Sequence, residues 1–419
     1  MRSIHSSTID GAITAPPSKS GMIRAVAASL LTCGTSAILN PTFCDDGMAS
    51  LGIADAFGAD ITIRTDRIKV NGYGGPGKKK IRRNIVNCHE SGLCMRMFAP
   101  IAGLAEEEII LEATGSLLRR PMHMDAVLST LGAQSETQNG FAPVRVKGTM
   151  SGGRFMCDGA EGSQFLTGLL MALPLCSSDS VIEVYNLKSK PYIDITVEIL
   201  KRFGVSIYHD SDMNQFFIKG NQLYKPCAYT VEGDWSGAAF MLVAGAIGGS
   251  ITVKGLCGQS CQADRAILNV LEEAGAQIDV DENSISVHQR NLKAFQFDAT
   301  ECPDLFPPLV ALAANCEGKS TIYGAQRLIH KESNRALALV SEFARLGTEI
   351  ELHKDKIEVK GAQLKGALIS SHNDHRIAMA CAVAALKGDG EVAIDRPSCV
   401  FKSYPTFFED LDSVRRVRE

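Results

Sequence analysis

After two adjacent prolines, Pro16 and Pro17, apolar positions fall at helical spacing. Met22, Ile23, Val26, Ala27, Leu30 and Leu31 predict an amphipathic helix, with Gly34 as its C′ stop. Ser18 or Ser20 is a natural N-cap. Lys19 stands at that N-terminus, where bare N–H groups and the positive end of the helix dipole already favour an anion. Ser20 and Arg24 share a face one turn further in. This start therefore gathers two cations, a hydroxyl and bare amides.

The pattern then repeats. A helical run, a glycine, a small residue and a strand occur around Gly58, Gly132, Gly204, Gly275 and Gly347, with gaps of 74, 72, 71 and 72 residues. Each glycine fits a helix C′ position, where a left-handed backbone is needed. A fixed period of this size marks a repeated supersecondary unit. A sixth unit ends near residue 419, closing with a helix from Pro405 to Val417 that lacks its following strand. Met1 to Thr14 is the candidate to supply that strand. Six units divide into two domains of three, with a break near Thr230 to Gly233 and a second crossing near Ala15 to Pro17. Two hinge strands imply a cleft that opens and closes.

The first start has counterparts. Glu90-Ser91-Gly92 opens a helix in which Gly92 lets a ligand approach the backbone. Arg119-Arg120-Pro121 reads as a helix opening with Pro at N1; paired arginines there suit a carboxylate or phosphate. Gly162, Ser163 and Gln164 precede an apolar helix, and Ser189-Lys190-Pro191-Tyr192 precedes another. Asp304 leads a helix in the second half. Lys331 and Glu332 stand before a Ser333 cap, with Arg335 in the first turn. Asn373-Asp374-His375-Arg376 and Lys402-Ser403 behave alike. Cations at a helix N-terminus oppose the dipole, which makes sense if an anion is meant to sit there. Lys19, Asp304 and Glu332 would then be titratable groups in a field able to tune them for proton transfer.

Composition narrows the ligand. The chain has 419 residues, too many for one ordinary core. A net charge of −4 argues against a general nucleic-acid or membrane-surface binder, so any anion site is local. No apolar run is long enough to span a bilayer, and Met1 to Ile13 has no apolar core of a secretory leader. Thirteen scattered cysteines read as reduced cytoplasmic thiols. Cys88-His89 with Cys94, and Cys257 with Cys261, lack a second matching pair, so no metal site is expected. Gly74-Gly75-Pro76-Gly77 with Lys78 to Lys80 lacks P-loop order and reads as a solvated hairpin tip.

In this order, Pro17-Ser18-Lys19-Ser20 with Arg24, Gly159 to Leu166, Ser189 to Tyr192, Lys331-Glu332-Ser333 with Arg335, Asn373 to Arg376, and Lys402 resemble the 5-enolpyruvylshikimate-3-phosphate synthase family nearly end to end. The resemblance implies an α/β enolpyruvyl transferase fold. Its two domains, 16–231 and 1–15 with 232–419, are each three βαβαββ repeats in an inside-out α/β barrel, with the active site in the cleft between them. It implies transfer of the enolpyruvyl group of phosphoenolpyruvate to the 5-hydroxyl of shikimate 3-phosphate, in the shikimate pathway to aromatic amino acids. No cofactor or metal is implied, and the enzyme is expected to be monomeric and cytoplasmic. Lys19, Ser20, Arg24, Gly162, Ser163, Gln164, Ser189, Tyr192, Asp304 and Lys331 match the shikimate 3-phosphate contacts. Lys19, Gly92, Arg120, Gln164, Arg335, Arg376 and Lys402 match the phosphoenolpyruvate contacts. Lys19, Asp304 and Glu332 match the catalytic groups, with their division of acid and base work left open.

Some positions depart from the family pattern. Glu90 stands for Asn, Leu93 for Thr, Gly162 for a phosphate-binding Ser, Met97 for Pro, Arg327 for Asn and Asn334 for Asp. Gly92 is retained, which implies that glyphosate competes with phosphoenolpyruvate. Two alternatives remain. One is the sister UDP-N-acetylglucosamine enolpyruvyl transferase, whose first motif reads Lys-Asn and which carries a reactive loop cysteine. The other is a hinged anion-binding protein without turnover, which has no need of Lys19, Asp304 and Glu332 together.

Overall fold

The computed structural model describes residues 1–417. The chain divides into two compact units, one of residues 17–231 and one of 1–16 with 232–419. The first unit contains helices α1 (Lys19–Leu30), α2 (Asp45–Ala56), α3 (Gly92–Ala102), α4 (Asp125–Thr130), α5 (Gln164–Ala172) and α6 (Pro191–Arg202). The second contains α7 (Trp235–Gly248), α8 (Ile267–Glu273), α9 (Phe306–Ala314), α10 (Arg335–Arg345), α11 (His375–Ala384) and α12 (Phe407–Val414).

One repeat shows the pattern. Strand Ile85–Asn87 leads into α3 and then Ile109–Glu112, which pairs parallel with it. Helix α4 follows, then the antiparallel pair Gln134–Gln138 and Phe141–Lys147, the latter added antiparallel to Ile109–Glu112. The same four-stranded order holds for Arg154–Asp158, Ser180–Tyr185, Gln215–Ile218 and Ile207–His209, and for Gln296–Asp298, Lys319–Tyr323, Lys356–Lys360 and Glu349–Leu352. The described residues form several small sheets and no closed barrel.

The first repeat of each unit takes its lead strand from elsewhere in the chain. Ala228–Thr230 pairs parallel with Cys33–Leu39 in the first unit. Ser7–Thr14 pairs parallel with Gly249–Lys254 in the second. The N-terminal segment thus has two roles. Only Arg2–Ile4 lies antiparallel on Asp389–Ile394 as the missing strand of the sixth repeat; Ser7–Thr14 opens the fourth. The chain also does not close as one helix to Val417: α12 stops at Val414, and Arg415–Val417 is a strand edge on Ser7–Thr14.

The period has a local cause. After α2, Gly58 N–H donates to Asp55 O at 2.9 Å and Ala59 N–H to Ala54 O at 3.0 Å. This is a Schellman closure, and it recurs at Gly132, Gly204, Gly275 and Gly347. All five glycines have positive φ, between 79° and 104°. Gly34 does not join them. Helix α1 ends at Leu30 with Leu31 as its C-cap, and Gly34 lies within strand Cys33–Leu39.

The two helices of a repeat differ. Helices α3 and α9 are buried at every position, and α7 at every position but Ser236. Helix α1 is buried from Gly21 to Leu30, so it is not amphipathic; beyond its first turn only Arg24 and Ser29 are polar. Such all-round burial needs close backbone approach. A Cβ at Gly168 of α5 would meet Met97 O of α3 at 2.5 Å. The second helices, such as α6 and α10, bury one face only. The core of the second unit gathers Trp235, Phe240, Phe306, Phe343, Tyr404 and Phe407, all fully buried; truncating one such ring to Ala costs about 3–5 kcal/mol.

Two glycine substitutions separate backbone conformation from packing. A Cβ at Gly132 meets nothing nearer than Thr149 O at 3.6 Å, but φ there is +92°. Gly132→Ala should lower stability by about 1–2 kcal/mol through the left-handed backbone alone. Exposed Gly52, inside α2 with nothing within 4 Å of its Cβ position, should gain about 0.5–1 kcal/mol as Ala. Urea midpoints of the two variants should therefore move in opposite directions.

Candidate active site

In the second unit the predicted residues converge on one ion-pair network. Asp304, in the short turn before α9, receives three cations. Arg335 reaches its Oδ1 at 2.9 Å, Lys331 the same oxygen at 3.4 Å, and Arg376 its Oδ2 at 3.0 Å. Asp304 does not serve as an N-cap. Arg335, the first residue of α10, is 1% exposed and also donates to Glu332 and, through Nε at 2.8 Å, to Asp374 Oδ2. Lys402 Nζ stands 4.0 Å from Glu332 Oε1.

Asp374 organises two helix starts at once. It caps α11 by accepting the Arg376 N–H at 3.0 Å, and it accepts the Ser333 hydroxyl at 3.0 Å. Ser333 is therefore not the cap of α10. Asn334 is, accepting from Leu337 N–H at 3.3 Å.

These contacts set the protonation states. Burial pushes Asp304 upward, but Arg376, Lys331 and Arg335 outweigh it and hold its carboxyl well below the usual range. Burial lowers the Lys331 ammonium to about 8, against the upward pull of Asp304. Asp264, in the turn ahead of α8, moves the other way. Burial first, then the charge of Asp304, pushes it to about 7.

The first unit presents smaller groups. Ser18, rather than Ser20, caps α1, accepting from Gly21 N–H at 3.2 Å. Lys19 pairs with buried Asp46 in the first turn of α2 at 3.1 Å. Ser20 follows Lys19 in that turn, and its carbonyl accepts from Arg24 at 3.0 Å. Arg24 is 1% exposed and also donates from Nε to Thr196 at 2.9 Å and from NH2 to the Tyr192 carbonyl at 3.3 Å. It ties α1 to α6 rather than standing at a surface.

Gly92 opens α3 under a Ser91 cap, and the Arg120 guanidinium lies against it. Arg119-Arg120-Pro121 does not open a helix. Arg119 ends a 3-10 turn from Gly115, and α4 begins only at Asp125, because Pro121 and the loop Met122–Met124 intervene. The Gly74 to Lys80 stretch is likewise not a hairpin tip but the connection from Arg67–Tyr73 to Ile85–Asn87, with Gly75 buried.

Gln164 begins α5 after Ser163 and accepts from Arg96 at 3.0 Å; Arg96 also donates to Pro121 O at 2.7 Å. The Gly162 N–H is turned to Gly159 O at 3.0 Å, so that amide is already engaged. Ser189 is buried in a left-handed conformation ahead of α6, with Tyr192 in the first turn.

Sequence reading missed Asp46, Arg96, Asp264 and Asp374 as parts of these groups. Arg96 was within reach, one turn after Gly92 on the same face. Asp374 stood inside the Asn373 to Arg376 motif but resembles any N-cap until its partners are known.

The comparisons with known proteins agree. The family described as EPSP synthase (3-phosphoshikimate 1-carboxyvinyltransferase) matches residues 4–411. The 3-phosphoshikimate 1-carboxyvinyltransferase of Clostridium kluyveri is 38% identical over 98% of this chain and 96% of its own. That of Methanocorpusculum labreanum is 37% identical, over 97% of each. An EPSP synthase structure from Acinetobacter baumannii superposes with a TM-score of 0.83 at 24% identity, covering 100% of this chain and 99% of that one, which shows the fold. With the family model matching residues 4–411 and relatives matching along nearly its whole length, the chain belongs to the EPSP synthase family.

Proposed function

We propose that this chain transfers the enolpyruvyl group of phosphoenolpyruvate to the 5-hydroxyl of shikimate 3-phosphate, releasing phosphate, as a step of the shikimate pathway. The observation that carries the reading is the network on Asp304. A carboxylate suited to take a hydroxyl proton stands among three cations suited to carboxylate and phosphate. The same reading has a monomer in the cytoplasm; thirteen free cysteines support the reducing compartment only. The UDP-N-acetylglucosamine alternative draws no support from the relatives, which carry the 3-phosphoshikimate name.

In this reading Lys19, Ser20, Arg24, Ser163, Gln164, Ser189, Tyr192 and Lys331 bind shikimate 3-phosphate. Lys19, Gly92, Arg120, Gln164, Arg335, Arg376 and Lys402 bind phosphoenolpyruvate. The 5-hydroxyl oxygen attacks C2 of phosphoenolpyruvate while its proton passes to Asp304. C3 gains a proton from Glu332, with Lys19 helping in the transfer, giving a tetrahedral carbon. Glu332 then takes a proton back from C3 as the C2–O bond to phosphate breaks, which expels phosphate and restores the enol ether. Cations fixed at 2.9–3.4 Å from a carboxylate are preorganised for the charge of carboxylate and phosphate.

The resting form of Asp304 is a poor base, because its counter-ions stabilise the charged state. Those counter-ions are the substrate-binding cations. When anionic substrates draw Arg335, Arg376 and Lys331 to themselves, Asp304 loses compensation and its basicity rises. Substrate binding thereby activates the base.

Two measurements test the reading. Asp304→Asn keeps the shape and removes the base, so phosphate release with shikimate 3-phosphate and phosphoenolpyruvate should fall by about 10²–10⁴ in kcat. UDP-N-acetylglucosamine should support no release with the unmodified chain; turnover with it, or an undiminished Asp304→Asn variant, overturns the assignment. Gly92→Ala brings a Cβ to 2.8 Å from the Arg120 guanidinium and must displace it. KM for phosphoenolpyruvate should rise by roughly tenfold or more, the loss of one charged hydrogen bond, with KM for shikimate 3-phosphate little changed.

A further inference from the structure

Asp264 is used by no step above, yet its setting is unusual. It lies in the 3-10 turn Ala263–Ala266 and is 1% exposed. Its Oδ2 accepts the Ser236 hydroxyl, from the first turn of α7. No hydrogen-bond donor among the described residues reaches its Oδ1. A buried carboxylate oxygen without a donor is strongly disfavoured in the charged form, whereas the neutral acid tolerates the site.

The charged and titratable groups acting on it come from three helix starts. Asp234 caps α7 through Ser236 N–H at 3.0 Å. Asp304 and Cys302 come from the turn before α9, and Arg376 from α11. Burial keeps the Cys302 thiol neutral. Arg376 thus acts on both Asp264 and Asp304, whose Oδ2 it holds at 3.0 Å.

We propose that Asp264 is a positioning residue that governs Arg376. As a neutral acid bound by Ser236 it leaves the guanidinium to Asp304 and to the incoming anion; as a carboxylate it draws on Arg376 and repels that anion. The inference rests on reading Asp304 and Arg376 as site residues. Its direction follows from the charge states. Asp264 is neutral below about 7 and charged above it, so affinity for phosphoenolpyruvate falls as pH rises through that value.

The test is the pH profile of KM for phosphoenolpyruvate from about pH 6 to about pH 8.5. Substrate phosphates also titrate, near about 6, but they do so equally for every variant. The unmodified enzyme should show a KM rise at least roughly threefold steeper than Asp264→Asn, whose amide cannot ionise. Ser236→Ala, which removes the donor that stabilises the carboxylate, should move the inflection to higher pH. This second variant decides the matter even if Asp264→Asn folds poorly. A purely structural role predicts lower kcat and melting temperature with the inflection unmoved. Superimposable profiles for the unmodified enzyme and both variants therefore overturn the proposal. Failure of the site reading is distinguishable: it appears as undiminished turnover in Asp304→Asn, whatever the Asp264 variants do.

Discussion

The second unit depends on the burial of Arg335. A guanidinium at 1% exposure is tolerable only if carboxylates replace its water, and Asp374, Asp304 and Glu332 do so. Such a cluster contributes little net stability against an apolar alternative, because each charge is desolvated to form it. Removing one partner is another matter, leaving a buried charge uncompensated at about 3–5 kcal/mol. What the cluster supplies is position. Arg335 opens α10, Asp374 caps α11 and Asp304 leads α9. Three helix starts are therefore held in one register by one side chain.

The repeat explains why those starts are available. In copies two, three, five and six a lead strand runs directly into a largely buried helix. Helix α3 begins five residues after Asn87, and α5 six residues after Asp158. Chemistry can vary at these first turns without disturbing the helix bodies, whose apolar surfaces are committed to packing. In the first five copies the second helix ends at a glycine closure that returns the chain to the sheet. The proposed site residues and the architecture thus occupy different parts of a copy.

This division decides what the sequence disclosed. The glycine period was legible because only glycine adopts the closure conformation at low energy, so the requirement appears as a residue type at fixed spacing. Lys19, Ser163 and Arg376 were legible because a cation or hydroxyl at or beside a cap is a local pattern. Strand partnership was not local. Nothing in Ser7–Thr14 says that it lies beside Gly249–Lys254 while Arg2–Ile4 lies beside Asp389–Ile394. Nor could the helix expected at Pro121 be corrected locally, since Pro suits N1 and a loop alike. The acids were least legible. Asp46, Asp264 and Asp374 look like ordinary first-turn or cap residues, and their meaning lies in partners 27 to 41 residues away.

Those acids also account for a local anion site in a chain with net charge −4. Lys19 is matched by Asp46, and Arg335, Arg376 and Lys331 by Asp304, Glu332 and Asp374. Without ligand, each of these cations already has an internal carboxylate. Binding an anionic substrate is then an exchange of one anion for another, and its free energy is a difference rather than the full attraction of the cluster. The exchange favours a ligand whose several charges meet several cations at once, which a single inorganic anion does not do. It also leaves behind a carboxylate stripped of counter-ions, and a stripped carboxylate is a stronger base. In the proposed function, selectivity for the substrate and activation of Asp304 would both follow from that displacement.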